Sequence, residues 1–371
     1  MATDLHSEKT VYMAMELSNK NWKLAFSTGE KIRQVNVVAG DRAGLLKAAQ
    51  TAKKKLGVSA EAKVISCYEA GRDGFWLHRW LEQQGLENLV VDAASIEVNR
   101  RQRRAKTDRL DAERLVRMLM RYAGQGERSV WKVVRVPSEA EEDERRVHRE
   151  RERLVAEQTA HRARVRSLLV LHGVRVKRIT ADTLAGCRDW QARPLPAAVR
   201  EELQREYQRL ALAQEQLARL ERAQAQGLKD PQNETQRRGQ KLRRLRSVGP
   251  VSAWTLSHEF FGWRRFHNRR EVGALAGLTG SPYDSGDSVR EQGISKAGNA
   301  RVRHLMVELA WGWLRYQPDS ALTQWFWRRF GHGSKRMRRV GIVALARKLL
   351  VALWKYVEFD ELPVGAIVVS D

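Results

Sequence analysis

The chain has little cysteine, with only Cys67 and Cys187 among 371 residues. Two cysteines exclude a disulfide-stapled scaffold and are typical of a protein in a reducing cytosol. The sequence also lacks a run of ~18 uninterrupted apolar residues, since its most apolar stretch, 340–357, contains three cations. Residues 1–10 are polar and contain no apolar signal core. We therefore expect a cytoplasmic protein with no membrane partner.

Acidic residues are scarce relative to basic ones, at 44 Asp and Glu against 68 Lys and Arg, so the formal charge is +24. Fifty of the cations are arginines, whose planar guanidinium matches phosphate and stacks on bases. The excess predicts a polyanionic partner, and it favours nucleic acid over a membrane surface because the basic stretches also contain acids. A general adaptation of the chain to its cell interior remains the alternative.

Residues 1–137 alternate strand-like and helix-like stretches, which predicts an α/β domain with a mixed sheet. Strands are predicted over 11–17, 23–27, 32–38, 62–68 and 89–92, and helices over 41–55, 74–84 and 108–121. Three successive strands followed by alternating helices and strands match the order of the ribonuclease-H-like, or resolvase-like, fold.

The rest of the chain is predicted to be helical, in two further domains. Residues 138–228 form a long coiled-coil insertion of two helices, separated by Gly173 and the Leu195-Pro196 stretch. Its second helix has a seam with 4-3 spacing, formed by Leu203, Tyr207, Leu210, Gln214 and Leu217. An antiparallel hairpin and a dimerising coiled coil both fit this pattern. Residues 229–371 are predicted to be a mainly helical domain, with most of its tryptophans in the core.

Four carboxylates in the first domain are candidate metal ligands. Glu16 lies on the first strand, Glu69 ends the fourth, and Asp108 and Asp111 share one face of a helix. Clustered carboxylates repel unless a cation neutralises them, and hard oxygen ligands suit Mg²⁺. Each acid also has an ordinary interpretation: Asp108 and Asp111 favour a helix start, Glu16 fits a solvated strand edge, and Glu69 fits a turn.

A basic stretch, 99–106, runs directly into Asp108. Its concentration of positive charge beside acids suits a phosphate backbone that passes over a metal site. A solvated basic loop is the alternative for individual side chains. The candidate nucleic-acid-binding residues here are Arg100, Arg101, Arg103, Arg104 and Lys106.

A loop rich in turn-forming residues, 277–288, contains Ser285 between Asp284 and Gly286. A loop serine can act as a nucleophile when a neighbour accepts its proton and cations hold the target phosphate. The candidate phosphate ligands follow it in the sequence: Lys296, Arg301 and Arg303, with free N–H groups at a helix start. A plain turn residue is the alternative for Ser285.

Six short motifs together resemble the DEDD-type insertion-sequence transposases of the insertion-sequence one-ten family. They are MAMELSNK at 13–20, YEAG at 68–71, KTDRLDA at 106–112, LAGLT at 275–279, YDSG at 283–286 and ISKAGN at 294–299. The resemblance implies a resolvase-like domain, a coiled coil and a C-terminal serine transposase domain. It also implies recombination of donor and target double-stranded DNA, guided by a structured bridge RNA, in a prokaryotic, nucleoid-associated protein.

By this resemblance Glu16, Glu69, Asp108 and Asp111 are the catalytic, Mg²⁺-binding acids and Ser285 is the nucleophile. One departure is Glu16, since the family usually has Asp at this position, and the longer side chain moves the carboxylate by about one methylene. Another is the Gly249-Pro250 turn, where the family usually has a Gly-x-Gly-like hairpin.

The resulting hypothesis is a covalent phosphoserine intermediate, with a composite site from two domains and a dimer or tetramer as the working assembly. Two alternatives stay open. One is a metal-dependent junction nuclease in which Ser285 is only structural, and the other is a non-enzymatic RNA-binding scaffold with a degenerate acid site.

Overall fold

The computed structural model describes residues 9–96, 108–285 and 288–369, with the backbone alone at 94, 108–109, 281–285 and 288–292. The chain divides into two compact units, 1–137 and 138–371. The three domains predicted from the sequence, with boundaries at 137 and 228, stay a prediction.

The first unit is built on a five-stranded mixed sheet. Its strands are β1 (Val11–Glu16), β2 (Asn21–Ser27), β3 (Ile32–Val38), β4 (Val64–Glu69) and β5 (Glu87–Val91). The order across the sheet is β3-β2-β1-β4-β5, with β1, β2 and β3 antiparallel in sequence and β1, β4 and β5 parallel. The predicted order of elements is confirmed, and a mixed sheet of this kind is compatible with a ribonuclease-H-like domain.

Helices cover both faces of this sheet. On one face lie α1 (Arg42–Lys55) and α2 (Trp76–Gln83), which pack leucines and alanines against Met13, Met15 and Trp22. Asp41 caps α1, as predicted, by accepting a 2.8 Å hydrogen bond from the N–H of Gly44. The opposite face carries α3 (Asp108–Leu119), which continues into a single π-helical turn, Met120–Gly124.

The second unit contains a long antiparallel helix pair. Helices α4 (Glu139–Glu144) and α5 (Arg146–Val170) lead outward, α6 (Ala181–Ala185) lies in the connection, and α7 (Ala197–Lys229) returns. Ion pairs join α5 to α7 at Arg151–Glu221 (2.7 Å) and Arg164–Glu202 (2.5 Å), in the order that an antiparallel pair within one chain requires. In the predicted seam Leu203 and Leu210 are buried.

The seam prediction was wrong at Gln214, which is exposed while Ala213 is buried. Ala213, one position earlier, takes the buried place on this side of α7.

The remaining elements form a helical core. They are α8 (Glu234–Arg243), α9 (Pro250–Leu256), the π-helical turn Ser257–Phe261, α10 (Arg269–Leu275), β6 (Gly280–Ser285), β7 (Ser288–Ile294), α11 (Ala300–Tyr316), α12 (Ala321–Phe330) and α13 (Lys335–Phe359). Their core buries Trp254, Trp263, Trp313 and Trp354, whereas Trp311 and Trp327 are nearly half exposed. The prediction of core packing therefore holds for Trp313 but not for Trp311 and Trp327. Among the helices of the described residues, none is both long and apolar enough to span a bilayer.

Candidate active site

The carboxyl ends of β1 and β4 place two acids next to each other. The parallel register pairs Met15 with Tyr68, so Glu16 and Glu69, one residue further along, are neighbours at the same edge of the sheet. Met15 and Tyr68 face α1 and α2, and side chains alternate along a strand. Glu16 and Glu69 therefore belong to the face that α3 covers. Glu16 is half-buried and Glu69 is exposed.

Helix α3 runs antiparallel to β1 and brings its own acids to this edge. At its far end a Cβ on Gly124 would lie 2.7 Å from the hydroxyl of Tyr12, which stands near the start of β1. The first turn of α3 is therefore directed toward the Glu16 end of the strand. Leu115 packs on the sheet, and Asp111 precedes it by four residues, which places Asp111 on the same side of the helix.

The four predicted acids thus come from three elements that meet at one edge of one sheet. Their carboxylate oxygens are the hard ligands that Mg²⁺ takes, so the set fits such an ion in kind. Among the side chains that the structure describes, no three His, Cys, Asp or Glu residues lie close enough together to hold a metal. The side chain of Asp108 is outside that description.

Ser285 ends the first strand of a two-stranded hairpin. The sequence indicated a loop here and this was wrong: Gly280–Ser285 and Ser288–Ile294 pair as antiparallel strands, with Ser285 opposite Ser288. Gly, Pro and Asp are depleted in strands, so the composition of this stretch concealed a hairpin that is held together by its backbone hydrogen bonds.

The base of this hairpin is fixed by backbone hydrogen bonds to the motif that follows it. The N–H of Ser295 donates to the carbonyl of Thr279 (2.8 Å), and that of Asn299 donates to the carbonyl of Leu275 (2.7 Å). The side chain of Asn299 also caps α11 by accepting from the N–H of Val302. Ser285 is therefore carried on an element anchored at both of its strands.

The predicted cations occupy different environments. Lys296 is exposed and has a left-handed backbone, with φ of 56°. Arg301 forms an ion pair with Glu152 (2.6 Å), and Arg303 donates to the carbonyl of Ala276 (3.2 Å). Of the three, Lys296 presents its charge to solvent at the foot of the hairpin. The remaining predicted cations, Arg100, Arg101, Arg103, Arg104 and Lys106, lie outside the described residues.

A buried ionic cluster behind the hairpin escaped the sequence analysis. Glu259, 3% exposed in the π-helical turn after α9, accepts hydrogen bonds from His148 (2.7 Å), Arg149 (3.0 Å) and Asn299 (2.9 Å). Burial alone would raise the pKa of Glu259, but the hydrogen bonds from His148 and Arg149 outweigh it and hold that pKa well below its usual range.

The cluster ties the cap of α11 to the start of α5. The sequence offered one sign of this cluster: Glu259 is the single acid in the largely apolar stretch 253–263. A carboxylate buried in such a stretch needs polar partners.

His258 lies beside this cluster and packs against Trp254. Its ring stacks on Trp254 with centroids 3.9 Å apart, and its Nδ1 lies 2.9 Å from the Trp254 carbonyl, so Nδ1 is the donor. Burial lowers the pKa of His258 to about 4. The imidazole is therefore neutral at physiological pH.

Comparison with known proteins decides the family. A model of the DEDD transposases of the IS110 type matches residues 18–173, and one described as "Transposase IS116/IS110/IS902 family" matches 239–324. A Sinorhizobium fredii protein named "Putative transposase y4rJ" is 40% identical, over 96% of this chain and 94% of its own length. The chain belongs to the IS110 family of DEDD transposases.

Two further relatives of this transposase agree with that assignment. A second Sinorhizobium fredii protein, "Putative transposase y4qE", is 33% identical over 69% of this chain and 60% of its own. The "Transposase for insertion sequence element IS1328" of Yersinia enterocolitica is 26% identical over 56% of this chain and 60% of its own. The transposase acts on DNA, and its DEDD domain implies the use of a divalent metal, typically Mg²⁺.

Proposed function

We propose that the transposase excises and inserts its element through a covalent phosphoserine linkage made by Ser285, with Glu16, Glu69, Asp108 and Asp111 as Mg²⁺ ligands. The observation that carries the acid site is the register of β1 and β4, which makes Glu16 and Glu69 neighbours on the face covered by α3. The longer Glu16 side chain reaches a metal from a strand end as the usual Asp does, with the carboxylate displaced by about one methylene.

In the serine step the Oγ of Ser285 attacks the phosphorus of a DNA phosphodiester. The bond from Oγ to phosphorus forms, and one bridging P–O bond breaks. The hydroxyl proton of Ser285 passes to a carboxylate, a role we assign to Asp108, and the departing deoxyribose oxygen takes up a proton to become a hydroxyl. The phosphodiester energy is kept in the phosphoserine bond, so the strand can be rejoined to a new partner without a nucleotide cofactor.

Cations hold the nucleic acid against this chemistry. A bound Mg²⁺ would neutralise charge on the attacked phosphate and align it. We assign phosphate contacts to the stretch from Arg100 to Lys106 and to Lys296, Arg301 and Arg303. For the two arginines this requires exchange of their contacts with Glu152 and with the Ala276 carbonyl for a phosphate. A structured guide RNA and a dimer or tetramer complete the proposal.

The test uses a labelled plasmid that carries the element with its flanking noncoding sequence. We expect the wild-type transposase with Mg²⁺ to give a protein–DNA species that survives denaturation, and Ser285→Ala to give none. The matched control is Ser288→Ala, the register partner across the hairpin, which should retain the adduct. DNA cleavage by Ser285→Ala without an adduct would instead establish the metal-dependent nuclease.

A further inference from the structure

The antiparallel pair of α5 and α7 forms an arm within the second unit. Leu228, near the end of α7, belongs to the helical core, whereas Ala197 begins α7 at the other end. At 1.5 Å per residue the helix places these positions about 45 Å apart. The segment that joins the helices, residues 171–196, is the arm tip, and its Cys187 and Leu195 pack with Val165 of α5 in a small separate core.

The arm tip exposes large apolar side chains although it has this core. Trp190 is 74% exposed and Leu171 is 77% exposed. Tryptophan is highly buried on average, and an exposed one beside other apolar residues marks an interaction site. Of the partly exposed tryptophans in the described residues, Trp190 is the most exposed.

The backbone around Trp190 is held in place. Its N–H donates to the carbonyl of His172 (3.1 Å), and the carboxylate of Asp189 accepts from the N–H groups of Gln191 and Arg193, both at 2.9 Å. Gly173 has a left-handed φ of 76°, and a Cβ there would lie 3.0 Å from the Cβ of Trp190. The indole is therefore presented from a pre-ordered turn, so that binding through it orders little backbone.

The surroundings of Trp190 are strongly basic. Residues 162–200 contain nine Arg and Lys against two acids. Among the described ion pairs of this stretch, Arg164 pairs with Glu202 and Arg193 with Asp189. Arg175, Lys177 and Arg178 are exposed, and all three lie within four residues. The tip thus combines an aromatic face with a concentrated positive charge.

We propose that the arm tip binds an unpaired DNA strand, with a base stacked on Trp190 and the phosphates held by Arg175, Lys177 and Arg178. Aromatic faces and cations together are the chemistry of single-strand binding. Duplex DNA keeps its bases stacked on each other, whereas strand cleavage and rejoining expose unpaired nucleotides. A second copy of the chain is the alternative occupant of this surface, and a change of oligomeric state in the test would reveal it.

This inference rests on the action of the family on DNA and not on the chemistry of Ser285. All variants in its test therefore carry Ser285→Ala and are measured in EDTA without Mg²⁺, so that neither a serine nor a metal-dependent route cuts the strand and binding alone is measured. The probes are a fluorescent single-stranded DNA of about 30 nucleotides, its duplex and an RNA of the same sequence, followed by anisotropy.

We expect Trp190→Ala to weaken binding of single-stranded DNA by at least fivefold, since stacking on an aromatic side chain contributes ~1–3 kcal/mol per base. Binding of the duplex should change by less than twofold. Trp190→Phe keeps an aromatic face and should retain most of the affinity. Leu212→Ala, at a 55% exposed apolar position of α7 outside the tip, is the control and should bind as the parent does.

Neutralising the three tip cations together, by substitution with Gln, should weaken all three probes and reduce the dependence of binding on salt. A second measurement reports contact with Trp190 even where the affinity is unchanged. Single-stranded DNA should quench tryptophan fluorescence less in Trp190→Phe than in the parent. Equal losses on single strand and duplex, a Trp190 effect confined to RNA, or a change of oligomeric state in Trp190→Ala would each overturn the proposal.

Discussion

Removal of the Glu259 carboxylate is expected to destabilise the second unit strongly. Glu259→Ala leaves His148, 1% exposed, without the acceptor that lies 2.7 Å from its Nε2, and it removes an acceptor from Arg149 and from Asn299. Breaking a buried ionic pair from one side costs about 3–5 kcal/mol, because the remaining polar group stays buried. Glu259→Gln keeps the shape and one acceptor oxygen, and the half-exposed Arg149 can turn to water, so we expect a smaller loss of about 1–3 kcal/mol.

The measurement is a urea titration followed by tryptophan fluorescence and far-UV circular dichroism. Trp263, whose indole N–H donates to the Glu259 carbonyl, reports from the cluster itself. Glu221→Ala is the control, since it removes a partly exposed ion pair with Arg151 and should cost no more than about 1 kcal/mol. If Glu259→Ala were to lose as little as this control, the cluster would not anchor the cap of α11 and the reasoning would fail.

Two further predictions concern stability in the same unit. Because the pKa of His258 is about 4 in the folded chain and about 6.5 unfolded, the free energy of unfolding should fall by up to about 3 kcal/mol as pH drops from 6.5 to 4. In thermal unfolding across this range, the melting temperature of His258→Phe should depend less steeply on pH than that of the wild type. Parallel curves for the two proteins would refute the lowered pKa of His258. Gly298→Ala should lower the free energy of unfolding by about 2 kcal/mol or more, since φ is 101° and the new Cβ would overlap the Leu275 carbonyl. The control is Gly249→Ala, where φ is −74° and the new Cβ would have no atom within 4 Å, so the melting temperature should change little. Equal shifts of the melting temperature in the two variants would contradict this prediction.

The elements of the first unit were predictable because each has a local signal. Short apolar stretches of strand length marked β1 and β3, and Asp41 marked the start of α1. Glu16 and Glu69 were proposed as metal ligands from their places on predicted strands and from the family resemblance. Their adjacency follows from the order of the strands in the sheet, which no local sequence pattern gives. The roles of the four acids and of Ser285 stay predictions.

What the sequence concealed depends on tertiary contacts. The hairpin of β6 and β7 is stabilised by its ladder and by its anchored base, so its glycines, serines and aspartates resemble a loop. Glu259 meets His148 across 111 residues of sequence, and no local pattern records such a contact. The exposure of Trp190 depends likewise on which apolar residues of the tip close its small core.

The left-handed backbone at Lys296 sets folding against charge at a single position. A non-glycine residue with φ of 56° costs roughly 1–2 kcal/mol, which a glycine would recover together with the loss of an exposed ammonium group. If Lys296 contacts phosphate as proposed, stability of the fold and affinity for DNA make opposite demands on this residue. Under that proposal a transposase stabilised by Lys296→Gly would bind DNA more weakly, so engineering for stability should leave this lysine unchanged.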